Sequence, residues 1–332
     1  GIKKSKIGVR VFEVNKNFET LLKNTKVFNQ KLNFFSSYKG IVRTEECDQM
    51  YHMNVQFYFD KQFKALKNFT NYIFKNISFK IKSERCIFYK EVHEFSALEI
   101  VIFVKNLKKN HLTLQSKLYC TSKHYVSAYF ETEIAFESDT KQIFKAIHSL
   151  LQKKQNTFVN DFNFIKLRKI RPFRILKKPS ENSIITCKKA SNTWDLDFDG
   201  YATHRFLISC VSDAATQLFT KCGVNHKWRA DYQIGSAALD YIVRYYNYPT
   251  IGMAVSLKSN FIEVNEKSFK FCHHLIDDAS NRVLMDIQIV AVLFDLNKRV
   301  AIKLAFSSNK RELNRKAGIV AEWSICADTI NS

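Results

Sequence analysis

The sequence predicts an α+β protein in which one unit, a long helix against an antiparallel sheet, occurs twice in tandem. Three observations carry this reading. Apolar residues fall at helical spacing in two places, period-two apolar runs follow each, and a similar polar cluster precedes each helix. At 332 residues the chain can hold two such units and bury a sizeable core.

In chain order, residues 1–34 read as an extension with short helical character, and the first unit spans 35–150. Its polar cluster is Asp48-Gln49-Met50-Tyr51-His52-Met53-Asn54. Val55, Phe59, Phe63, Leu66, Phe69 and Ile73 then recur at steps of three and four, one face of a long helix. Alternating runs follow at Leu98–Val104, at Leu112, Leu114 and Leu118, and from Val126 to Phe136. Residues 151–190 read as a basic linker, and the second unit spans 191–306. Its cluster, Asp199-Gly200-Tyr201-Ala202-Thr203-His204, opens a helix through Leu207, Val211, Ala214 and Leu218, with His204 aligned on His52. Three more alternating runs follow, from Met253, Phe269 and Val283, and 307–332 reads as a tail. Lead-ins recur at Phe88-Tyr89-Lys90-Glu91 and Arg244-Tyr245-Tyr246-Asn247. Such a sheet buries one face around its helix, and two copies form a pseudo-dimer by pairing sheets edge to edge.

Composition narrows the class. A hydrophobic content of 46% with 14% aromatics excludes a disordered chain. The net charge of +21 invites a nucleic-acid partner, but it is regional: residues 1–190 carry 36 basic and 16 acidic side chains, the rest 16 and 15. No cysteine pair has CxxC spacing, which favours a reducing, cytoplasmic setting over a disulfide framework. No signal peptide is visible, and the apolar runs are strand-length, too short for a membrane span. P-loop, dinucleotide and GxSxG patterns are absent.

The first cluster resembles that of the hot-dog thioesterases, hydrolases of acyl-CoA and acyl-carrier-protein thioesters, which often carry D-x-x-G-H-x-N before their central helix. Asp48, His52 and Asn54 match, and Tyr51 stands at the glycine. The second copy is similar but arranged differently. Asp199 lies five residues before His204, Phe206 takes the Asn place, and Asp213 resembles a mid-helix carboxylate. The resemblance covers about residues 35–140 and 195–300 and implies a tandem (double) hot-dog, each copy a long central helix wrapped by an antiparallel sheet.

The chemistry implied needs a carboxylate to activate water and donors for the developing oxyanion. A helix N-terminus supplies the donors through its unpaired N–H groups. Asp48, His52 and Asn54, with Asp199, His204 and Asp213, are therefore the candidate catalytic residues. The bland alternatives are capping for Asp48 and Asn54, a core role for His52, and for Asp213 either a cross-copy salt bridge or exposure at a packing edge. Asp60, beside Lys61, reads as solvated.

Two metal-like patterns are set aside. Asp195-x-Asp197-x-Asp199-Gly200 begins like a calcium loop but has Phe206 where a bidentate Glu is needed. Trp194, Leu196 and Phe198 alternate as a strand there, and His273, beside Cys272 and His274, reads as a core residue. No metal and no cofactor are expected, coenzyme A or phosphopantetheine entering only as part of the substrate. Arg168, Lys169, Arg171 and Arg174 in the linker read as solvated surface, as a platform for acyl-CoA or an acidic acyl carrier, or as a weaker nucleic-acid or membrane-surface patch. The expected function is thioester hydrolysis in fatty acid metabolism; a hot-dog hydratase or dehydratase, or a catalytically silent acyl-binding module, are the alternatives. Beyond the internal pseudo-dimer, monomer and homo-oligomer are both open.

Overall fold

The computed structural model describes residues 35–74, 77–108, 111–136, 145, 177–221, 224–265 and 267–302. The whole of the expected extension, the tail, and residues 151–176 of the linker with Arg168, Lys169, Arg171 and Arg174 lie outside the described residues. The first half runs β1 (Phe35–Ile41), α1 (Val55–Phe74), β2 (Phe79–Phe88), β3 (Ala97–Lys108), β4 (His111–Cys120) and β5 (Tyr125–Phe136). The second runs β6 (Ile184–Ala190), α2 (His204–Lys221), a short α3 (His226–Asp231), β7 (Ile234–Tyr245), β8 (Ala254–Val264), β9 (Phe269–Asp277), β10 (Val283–Asp295) and a two-residue β11 (Val300–Ala301).

The strands form one antiparallel sheet in the order β1-β3-β4-β5-β2-β7-β10-β9-β8-β6, with β11 against β10. Each half contributes the same five-strand order, and the halves meet where β2 pairs with β7. The equivalence is local as well as global. The N–H groups of Tyr89 and Tyr246 both donate to the carbonyl of a neighbouring segment, Ser127 and Leu284 respectively. In that alignment Arg85 and Ile242 are equivalent to each other, and they are also direct partners across the β2–β7 ladder. A pseudo-twofold axis therefore passes through this pair.

The helices form where the apolar spacing placed them. Asn54 caps α1: its side chain accepts from the Gln56 N–H at 3.1 Å and its carbonyl from the Phe57 N–H at 3.0 Å. Phe59, Leu66 and Phe69 are buried, and Lys64, Asn68 and Asn71 are exposed. Thr203 caps α2 in the same way, its hydroxyl accepting from the Phe206 N–H at 3.3 Å, and Leu207, Val211, Ala214 and Leu218 are buried. One hydrophobic core runs through both halves: Phe59 packs against Phe130 at 5.5 Å and against Tyr241 of the other copy at 5.9 Å.

Several local expectations change. The four-residue lead-ins straddle the ends of full strands: Phe88 closes β2 and Arg244-Tyr245 closes β7, the two strands that build the junction. The alternation Trp194-Leu196-Phe198 is not a strand: Thr193–Asp195 is a 3-10 turn capped by Asn192, and Trp194 and Phe198 are exposed. Lys61 does not mark a solvated face, because it is buried in an ion pair with Glu46 at 2.7 Å, while Asp60 pairs with the exposed Lys64 one turn on. β9 is buried on both faces, so His274 and Cys272 are as enclosed as His273.

Candidate active site at the copy junction

The turn before each helix is built by an aspartate. The Asp48 carboxylate accepts from the Met50 N–H at 2.8 Å and the His52 N–H at 3.4 Å, and its own N–H donates to the His52 carbonyl. Asp197 repeats this on Asp199 at 2.9 Å and Tyr201 at 3.2 Å. Such side chain-to-backbone bonds close a tight turn, and the turn needs one residue in the left-handed region. That residue is Tyr51 (φ 60°) in the first copy and Gly200 (φ 78°) in the second. The motif alignment by histidines is therefore three residues out of register. Asp197, Gly200, Tyr201 and Thr203 are the structural counterparts of Asp48, Tyr51, His52 and Asn54. Asp199 stands at the Met50 place, and His204, the first residue of α2, at the Val55 place.

The first turn opens on a cleft of about 620 Å³ between the copies. Asp48, His52, Glu91 and His93 line it from the first half; Leu239, Phe294 and Arg299 line it from the second. His52 Nδ1 lies 3.3 Å from Glu91 Oε1, and the other Glu91 oxygen accepts from Arg299 at 2.9 Å. The rings of His52 and His93 meet edge to face at 4.6 Å, held by a β-bridge between the two residues. His93 bonds to the Tyr51 backbone, and burial lowers its pKa below the ordinary value, with His52 and Lys123 pushing the same way. His52, Glu91 and His93 present ligand-type atoms within 4.8 Å of one another. Arg229 of α3 is partly buried and within electrostatic reach of Asp48.

The second turn is built differently. His204 is 2% exposed; its Nδ1 faces Glu84 Oε2 at 2.9 Å and its Nε2 faces the Tyr248 hydroxyl at 3.3 Å. The same Glu84 oxygen accepts from Tyr245 at 2.9 Å, and His204 stacks on Phe63 with centroids 5.1 Å apart. The cavity touching His204 holds only about 20 Å³, room for one water. Asp199 lies at its edge on the surface, accepting from Ser78 at 3.1 Å and lying 3.5 Å from Lys67.

Five of the six candidates fall into two places that are built differently. Asp48 and His52 share the roomy cleft, with Asn54 capping the helix beside it and bonded to Ser212 of α2 at 3.2 Å. Asp199 and His204 border the small cavity, and Asp199 also lines an open groove of about 820 Å³ with Asp60, Phe63 and Lys67. Asp213 joins neither: it is exposed on α2 and pairs with Lys189 of β6 at 2.6 Å, within its own copy. Sequence reasoning missed Glu91, His93 and Glu84. The signal for the first two was an acid and a histidine two residues apart beyond a strand end, which puts both on one side of the chain.

No curated protein matches the chain in sequence. Solved structures share the fold at low identity. An acyl-ACP thioesterase from Bacteroides thetaiotaomicron aligns with 9% identity and a TM-score of 0.54, over 78% of this chain and 98% of its own. A 12:0-ACP thioesterase from Umbellularia californica aligns with 8% identity and a TM-score of 0.55, over 79% and 94%. A family model matches residues 42–155 and 191–319, one segment for each copy of the repeat. The chain belongs to the thioesterase-like superfamily.

Proposed function

We propose that the protein is a tandem hot-dog hydrolase of acyl thioesters whose working site is the cleft at the N-terminus of α1. The observation that carries this is the His52–Glu91 pair at 3.3 Å, facing a cleft large enough for an acyl thioester beside a helix N-terminus. His52, oriented by Glu91, takes a proton from water as it attacks the thioester carbonyl. The Val55 N–H, the first-turn donor of α1 beside the two that the Asn54 cap holds, receives the charge that develops on the carbonyl oxygen. Asp48 holds the turn that places His52, and Asn54 fixes the helix start. The tetrahedral intermediate then collapses, breaks the C–S bond and releases a carboxylic acid and a free thiol, the proton returning from His52 to sulfur.

Lys90, Lys123 and Arg299 line the same cleft and suit an anionic thiol carrier, either coenzyme A or an acidic acyl carrier protein. The test is a panel of acyl-CoAs with detection of free thiol. Wild-type turnover is expected, with His52→Ala and Glu91→Gln losing about 100-fold or more in kcat. Absorbance change without thiol release would mean hydration, and binding alone a silent acyl module. Full activity in His52→Ala overturns the assignment.

A further inference from the structure

We infer that His52, Glu91 and His93 form a binding site for one divalent cation of the zinc class. Such a site does not depend on hydrolysis and excludes it while occupied, because an ion between His52 Nδ1 and Glu91 Oε1 replaces the contact that orients the base. Two imidazoles and a carboxylate are the ligand set that tetrahedral zinc favours, with the fourth position left to solvent. The His52 Nδ1–Glu91 Oε1 separation of 3.3 Å equals the edge of a tetrahedron whose ligands stand about 2.0 Å from the metal. The group also has the outer contacts that orient metal ligands. Arg299 holds the second Glu91 oxygen at 2.9 Å, which turns Oε1 toward His52, and the Tyr51 backbone holds one side of His93. The remaining ligand-type atoms lie within 4.8 Å, so small side-chain rotations complete the site, and all three residues line the open cleft, which gives an ion its path.

The repeat supplies an internal control. The counterparts of His52, Glu91 and His93 in the second copy are Tyr201, Tyr248 and Thr250, where Tyr201 and Tyr248 meet as rings 6.4 Å apart. None of these is a zinc ligand at neutral pH, so the stoichiometry expected from this motif is one ion per chain. Lys123 and Arg299 oppose a cation electrostatically, which places the affinity below that of a structural zinc site.

The test is cobalt(II) titration of the full chain followed by visible absorption, with zinc(II) competition and calorimetry. One equivalent should produce tetrahedral d–d bands without a sulfur charge-transfer band, and zinc should displace it. His93→Ala and Glu91→Gln should each weaken binding by more than about tenfold, and Lys123→Ala should tighten it. Circular dichroism on each variant separates loss of the site from loss of the fold. Absence of bands at millimolar cobalt, a sulfur charge-transfer band, or bands that persist in folded His93→Ala protein overturns the inference. Because the readout is bound metal and not turnover, an inactive hydrolase would leave this result interpretable.

Discussion

Glu84 is a carboxylate of the first copy buried against a histidine of the second, and its removal tests how the two halves are held together. It accepts from His204 Nδ1 at 2.9 Å and from the Tyr245 hydroxyl at 2.9 Å, with Thr132 at 3.4 Å on its other oxygen. Hydrogen bonds to a charged group contribute about 1.5–3 kcal/mol each, and deleting one member of a buried pair costs about 3–5 kcal/mol because the partners are left unsatisfied. Glu84→Ala is therefore expected to lose about 3–5 kcal/mol, with His204 and Tyr245 both stranded. Glu84→Gln keeps an acceptor of the same shape, and its expected loss is about 1–2 kcal/mol. Urea unfolding followed by circular dichroism measures each value. A double-mutant cycle with His204→Ala isolates the pair, and a coupling of more than about 1 kcal/mol is expected for residues in direct contact. Because the pair joins the copies, far-ultraviolet signal and tyrosine environment should be lost in one transition. A Glu84→Ala cost below about 1 kcal/mol, or single-mutant effects that add within about 0.5 kcal/mol, would refute the reasoning.

Other outcomes follow from single features. His273 is fully buried on β9, its pKa depressed to about 3 by burial and then by His274, so below pH 6.5 the unfolded chain binds the extra proton. Stability is complete above pH 6.5 and falls with pH, by about 2 kcal/mol from this group at pH 5; His273→Gln should remove that part of the acid sensitivity in urea titrations at the two pH values. Gly252 has φ 72° with nothing within 4 Å of an added Cβ, so Gly252→Ala should cost about 1 kcal/mol by backbone strain alone. Its counterpart Phe95 already tolerates φ 58°, and Phe95→Ala should change thermal stability little by comparison. Asp213→Asn loses only a half-exposed pair with Lys189, so hydrolysis should be unchanged and stability should fall by less than about 1 kcal/mol in the same assays.

The repeat, both helices and the edge-to-edge junction were legible because each rests on periodicity, and periodicity survives divergence. Val55, Phe59, Leu66 and Phe69 announce α1 whatever their neighbours are. The register between the copies was not legible, because it depends on which residue adopts positive φ. Gly200 signals that position and Tyr51 conceals it, so the two histidines offered a false alignment. Charged residues misled for a related reason. Lys61 looks solvated in sequence, yet Glu46, brought in by the turn before α1, supplies its partner inside. Asp213 looks buried beside Ala214 and Val211, yet it lies one step off the apolar stripe. The site itself was half visible. Asp48 and His52 sit in one motif, but Glu91 reaches them only through the loop after β2, a contact no local pattern encodes.

The pseudo-twofold axis through Arg85 and Ile242 has a consequence for assembly. In a dimer of two first halves, the residue on that axis would meet itself, placing one guanidinium directly opposite another, which is destabilising across a ladder. In the native chain Arg85 faces Ile242 and turns its guanidinium to Asp240, with Nε at 3.1 Å from the carboxylate. The second half thus supplies a counter-charge that the first half lacks, having Ser83 at the equivalent place. The junction therefore favours pairing of unlike halves, and a separated first half should fail to self-associate along β2.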